Sequence, residues 1–185
     1  MNKFLAIGIV AVFALFAGCS STAVYKEAMA RPLPSIPSYS SSAVTYDTSA
    51  KVSVYLTKPF GAQLFTALKG AGYRTPEAGD LQARVLTLPD FIVEPVACEN
   101  NVEFGDGAAW LLTRLVVQVR KPGRVVGDKG TMQYGRPRIF QAYARKRLGE
   151  RYYSYYSPEE AKQNTAVAIA NLMKVAPFRE ALVRR

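Results

Sequence analysis

Trp110-Leu111-Leu112-Thr113-Arg114-Leu115-Val116-Val117-Gln118-Val119-Arg120 alternates from end to end. Leu111, Leu115, Val117 and Val119 stand on one side. Leu112, Arg114, Val116, Gln118 and Arg120 stand on the other, where Arg114, Gln118 and Arg120 make the face polar. A period of two, with β-branched residues on the apolar side, predicts a strand that buries one face and leaves the other open. Downstream, Lys121-Pro122-Gly123-Arg124 reads as a turn into Val125-Val126, and Gly127-Asp128-Lys129-Gly130 as another turn. Residues 137–148 alternate again through Arg138, Ile139, Phe140, Gln141, Ala142, Tyr143 and Ala144, which predicts a further antiparallel strand.

Upstream, Val52-Ser53-Val54-Tyr55-Leu56 reads as a strand, and residues 82–88 as a second one closed by Pro89. Residues 91–98 are apolar but interrupted by Pro95, which predicts at best an edge strand. Residues 100–107 carry turn residues. Between the first two strands, Pro59 opens a helical stretch through Lys69, with Phe60, Leu64, Phe65 and Leu68 at helical spacing and Gly70 and Gly72 ending it. A second helix is signalled by Ser157 as N-cap, Pro158 at the first helical position and Glu160 completing a capping box. Its stripe is Ala161, Thr165, Ala168, Leu172 and Val175, and Pro177 ends or kinks it. These elements predict an α+β fold: a small, mainly antiparallel sheet with two helices packed on one face.

The chain has no histidine, which removes the commonest general base and metal ligand and excludes a hydrolase triad of the usual type. Cys19 and Cys98 are its two cysteines, too few for a thiolate zinc site. Cys98 reads as a buried, inert thiol. Asp106 between Gly105 and Gly107 lacks metal-loop spacing and reads as a turn. Glu94, Glu99 and Glu103 form a carboxylate group that nothing in the sequence pairs as acid and base. The reading is therefore non-enzymatic, with no cofactor and no metal.

The net charge of +10 is concentrated. Residues 114–151 hold 11 basic and 2 acidic side chains, a net of +9, interleaved with tyrosines. Arg114, Arg120, Arg124, Arg136, Arg138, Arg145, Lys146, Arg147, Arg151 and Tyr143 are the candidate anion- or partner-binding residues, since arginine and tyrosine suit bidentate and stacking contacts. The plainer alternative is a solvated polar sheet face.

Residues 1–19 read MNKFLAIGIVAVFALFAGC, with Lys3 before an apolar run of signal-peptide length. Leu15-Phe16-Ala17-Gly18-Cys19 resembles the lipobox of bacterial lipoproteins, with Phe16 where the family usually has leucine. The resemblance implies cleavage before Cys19, so that residues 1–18 are a signal peptide, and a diacylglycerol plus an N-acyl lipid on Cys19. Serine at position 20 implies export to the outer membrane, facing the periplasm, with inner-membrane retention and surface display as alternatives. An ordinary secretory signal and an uncleaved anchor are the other readings of the segment.

Residues 19–50, rich in Ser, Ala and Pro, read as a flexible extended tether before a domain at 51–185. Tyr25, Tyr39 and Tyr46 are the residues of that tether able to dock onto a partner or onto the domain. Pro59-Phe60-Gly61, Leu64, Ala67-Leu68 and Gly72-Tyr73 follow a short strand, and over residues 52–76 this pattern resembles the TrbH-type conjugal transfer lipoproteins. That resemblance implies a small outer-membrane component of a transfer or secretion apparatus.

Two functions follow. In one, a membrane-anchored lipoprotein docks protein partners in an envelope assembly for secretion, conjugal transfer or export. In the other, it binds an anionic envelope polymer such as lipopolysaccharide or peptidoglycan. Nucleic acid is disfavoured for an exported chain.

Overall fold

The computed structural model describes residues 23–40, 42–75, 89–126, 131–150 and 155–184. The expected signal segment with Cys19, the expected strand at 82–88 and Arg151 lie outside the described residues.

Four strands form the main sheet in the order β1 (Val52–Val54), β2 (Phe91–Gly105), β3 (Ala108–Arg120) and β6 (Arg138–Gly149). β4 (Pro122–Val126) and β5 (Thr131–Tyr134) pair separately, so the expected turn at 121–124 is largely strand. The helices are α1 (residues 23–30), α2 (Gly61–Gly70), α3 (Pro158–Lys174) and α4 (Ala176–Ala181). The fold is α+β as expected, but the sheet is mixed. β1 runs parallel to β2, because the chain crosses over through α2 and returns in the same direction.

The alternation of Trp110–Arg120 holds: Leu111, Thr113, Leu115, Val117 and Val119 are buried, and the residues between them are half-exposed. The buried side faces α3, where Leu172, Met173 and Ile169 meet Leu115, Val117, Phe140 and Ala142 in one core with Phe178 and Leu182 of the C-terminal end. Phe140 and Phe178 meet edge to face at 5.5 Å. α3 starts on the expected capping box: Ser157 Oγ accepts from Glu160 N, and Glu160 Oε2 accepts from Ser157 N.

Two expectations about β2 are corrected. The turn residues of 100–105 belong to the strand, and only Asp106-Gly107 turns, both at positive φ (47° and 73°). This is the two-residue turn whose twist matches a right-handed hairpin. Pro95 sits inside the long strand β2, second in the sheet order, at a point where β2 has no neighbour on its β1 side. Val93 O accepts from Tyr55 N on the β1 side. Two residues on, the nitrogen of Pro95 faces that same side, where β1 has already ended and no ladder donor is required.

The Pro-Phe-Gly pattern at 59–61 builds the β1–α2 corner. Phe60 adopts the left-handed conformation (φ 48°). A Cβ on Gly61 would run into the Tyr55 carbonyl oxygen, so only glycine fits there. Leu64, Leu68 and Tyr73 of the same stretch are buried.

Residues 31–40 and 42–50 do not extend away as a tether; they strap the domain. Asp106 N donates to Arg31 O and Gly107 N to Met29 O, which fixes α1 against the β2–β3 turn. Tyr25 packs on Phe104 at 5.3 Å. Farther on, Tyr39 Oη accepts from Tyr143 N on the outer edge of β6, and Tyr46 packs edge to face on Tyr73. Ala50 is fully buried, and the next residues enter β1. The chain thus passes round the β6 edge before joining the sheet at the opposite edge.

Candidate functional site

Helices α2, α3 and α4 pack on one face of the sheet, so the charged side chains of the other face are organised by strand register alone. Its rows, read across β2, β3 and β6, are Glu103–Trp110–Arg147, Asn101–Leu112–Arg145, Glu99–Arg114–Tyr143, Ala97–Val116–Gln141 and Glu94–Gln118–Ile139. The three glutamates share this face because of one extra residue. The register slips between Pro95 and Ala97, leaving Val96 as a bulge. Without it, the even-numbered Glu94 would oppose the odd-numbered Glu99 and Glu103 across the sheet.

The glutamates neutralise much of the expected basic face. Arg114 Nη1 lies 3.1 Å from Glu99, Arg120 Nη2 3.5 Å from Glu94, and Arg145 Nη2 2.8 Å from Glu103. Lys58 adds a second cation to Glu94 at 3.6 Å. Donating a hydrogen bond to the Glu99 carboxylate raises the Arg114 guanidinium pKa further, so it stays charged. Gln141 Oε1 accepts from both Arg114 Nε and Tyr143 Oη, extending the network to β6. Arg145, with its side chain 13% exposed, also donates to Pro34 O of the strap. The exposed Arg114–Glu99 pair contributes little to stability, so its main effect is on the field of the face.

The remaining predicted residues are dispersed. Lys146 points to the helix side and pairs with Glu160 at 3.4 Å, while Arg147 pairs with Glu150 at 2.7 Å. Arg138 also points to the helix side, its guanidinium 5.4 Å from the Phe140 ring. Arg136 is exposed beside it. Arg124 lies on β4. Among the described residues, the fold does not bring these side chains into one continuous basic patch.

The strap covers the end of the open face nearest the β2–β3 turn. At Gly105, the Arg31 carbonyl oxygen stands 2.8 Å, and the Leu33 side chain 3.0 Å, from where a Cβ would lie, so the close approach depends on glycine. The opposite end is uncovered among the described residues and more apolar. Ile139 is 62% exposed, Tyr134 43%, and Tyr55 and Val96 42% each. Tyr55 and Tyr134 are neighbours beside the Glu94–Arg120 pair. Burial, followed by Tyr134, pushes the Tyr55 hydroxyl pKa up.

Sequence reasoning missed a buried polar cluster under α3. Asn164 Nδ2 donates to Thr113 Oγ1 at 2.8 Å and to the Leu111 and Ala144 carbonyls, and Thr113 donates to Asn100 Oδ1 at 2.7 Å. Cys98 lies at its margin, half-buried, with Sγ 3.6 Å from Thr165 Oγ1. The one available signal was Thr113 among the apolar positions of β3. Each of these polar atoms has a partner, so the cluster fixes α3 on the sheet.

No helix among the described residues is long and apolar enough to cross a membrane. No family model matches the chain, and no curated protein matches it.

Proposed function

We propose that the protein is a non-enzymatic docking component of a cell-envelope assembly, a lipoprotein held by lipid on Cys19 to the periplasmic side of the outer membrane. The observation that carries the docking reading is the uncovered end of the open face, where Tyr55, Val96, Tyr134 and Ile139 surround a paired Glu94–Arg120. Exposed aromatic and aliphatic side chains around a neutralised ion pair suit a protein surface, which desolvates them. An anionic polymer would be drawn to unpaired cations, and the glutamates of β2 remove most of those from this face. The membrane attachment and the TrbH-like role in transfer or secretion rest on the lipobox at Cys19 and the pattern over residues 52–76.

Lipidation would also orient the domain. Residues 20–22 are all that separate Cys19 from α1, a reach of at most about 14 Å. α1 is bonded to the β2–β3 turn, so that end of the sheet would lie at the membrane. The apolar end would lie ~40 Å away along β3, facing an approaching partner.

The test is co-purification of the full-length chain from detergent-solubilised membranes, comparing wild type with a Val96→Glu/Ile139→Glu variant. Both positions are exposed, so folding and membrane fractionation should persist while stoichiometric partner proteins are lost. Unchanged partner recovery from the variant would refute the docking face.

A further inference from the structure

Arg138 and Lys121 stand apart from the other cations of the sheet, and we propose that they form a binding site for a phosphate or carboxylate group on the helix side of the domain. Arg114, Arg120, Arg145, Lys146 and Arg147 each have a carboxylate partner within 3.5 Å. Among the described residues, Arg138 and Lys121 have none. Both are held by aromatic faces instead: Lys121 Nζ lies 5.7 Å from the Phe91 ring centre and the Arg138 guanidinium 5.4 Å from that of Phe140. Those rings are 2% and 7% exposed, fixed in the core, so the cations are positioned without being neutralised.

Register explains why they meet. Arg138 pairs with Val119 across the β3–β6 ladder, and Lys121 follows two residues after Val119. Both therefore lie on the core side of the sheet, just beyond its last buried apolar residues. There they line a cleft of about 330 Å³ with Glu180, Ala181 and Val183 from the C-terminal end. Two cations face one carboxylate, so the cleft keeps a positive excess. Ala181 is buried and Val183 half-buried, which gives a partly desolvated wall against which charge-assisted hydrogen bonds gain strength. The guanidinium fork and the ammonium together suit an oxyanion with several acceptor oxygens.

This site shares no residue with the open face, so it stands or falls independently of the docking reading. The experiment is a titration of the full-length chain in detergent micelles with inorganic phosphate and, separately, succinate, followed by backbone amide shifts. Saturable shifts confined to the neighbourhood of Lys121, Arg138 and Glu180 are expected. Arg138→Gln and Lys121→Gln should each weaken binding about tenfold or more. Glu180→Gln should tighten it, because the opposing carboxylate is removed, and Arg147→Gln on the other face should leave it unchanged. Stronger response to phosphate assigns a phosphate-bearing ligand, and stronger response to succinate a carboxylate-bearing one. Failure of both anions to saturate, or equal affinity in the wild type and both cation variants, overturns the proposal. Tightening in Glu180→Gln is a gain that misfolding cannot imitate.

Discussion

Glu160 is gripped from two directions at the start of α3. Its Oε2 accepts from the Ser157 amide at 2.9 Å, and its Oε1 lies 3.4 Å from Lys146 Nζ on β6. The Ser157 amide first, and Lys146 next, hold the Glu160 carboxyl below the usual carboxylate range. A folded-state pKa below the unfolded one means that the stabilisation is complete above the ordinary glutamate value of about 4.3 and fades as pH falls through the depressed value. Glu160→Gln should therefore be less stable than wild type at pH 7, with the gap closing in acid. Denaturant midpoints at neutral pH and at successive acid steps measure it. A gap that stays constant as pH falls would mean that the carboxylate charge contributes nothing to the cap.

At the scale of elements, the strap and the bulge are what composition concealed. Serine and proline between residues 31 and 42 lower local burial, which reads as a tether, yet the contacts that hold this segment need few side chains. They are backbone bonds at Arg31 and Met29, a carbonyl offered to Arg145, and the Tyr39 hydroxyl on the Tyr143 amide. Tyr25, Tyr39 and Tyr46 were the legible signs, since large amphipathic rings in a Ser/Pro-rich run want a surface. The alternation of Trp110–Arg120 and the start of α3 were legible because periodicity and capping are local, whereas the burial of Thr113 and Asn164 depends on how the two elements meet. Register is not local. Glu94, Glu99 and Glu103 were visible as a group, but a one-residue bulge at Val96 puts them on one face, and their pairing with arginines on β3 and β6 depends on that slip. The expected basic face followed from counting charges within residues 114–151, where their β2 partners do not appear. The strap's grip is open to measurement. Tyr39→Phe removes the acceptor of the Tyr143 N–H at a free strand edge, a bond of about 1 kcal/mol. Amide exchange at Tyr143 should then quicken roughly fivefold, with β3 amides unaffected. Unchanged protection at Tyr143 would show that the strap leaves that edge when in solution.

For the whole molecule, the strap changes what a lipid on Cys19 would mean. A free tether of some thirty residues would let the domain sample tens of ångströms and any orientation. With α1 bonded to the β2–β3 turn, the proposed anchor becomes a short leash fixed to one end of a rigid sheet. Asp106 and Gly107 would then sit near the headgroups, and Arg120, Arg138 and the exposed Ile139 at the far end. Both proposed sites, the apolar docking patch and the Lys121–Arg138 cleft, would fall at that distal end. This placement keeps Arg138 and Lys121 beyond the Debye length, about 8 Å, of an anionic bilayer surface, so they would not be occupied by the protein's own membrane. Paramagnetic lipid headgroups in nanodiscs make the orientation measurable. Amides of Asp106 and Gly107 should broaden strongly, and those of Arg120 and Arg138 should stay sharp. A Cys19→Ser chain should leave the membrane fraction and show neither effect. Uniform broadening along β3 in the lipidated protein would mean that the sheet lies flat on the bilayer, and the distal end would lose its claim to be the docking face.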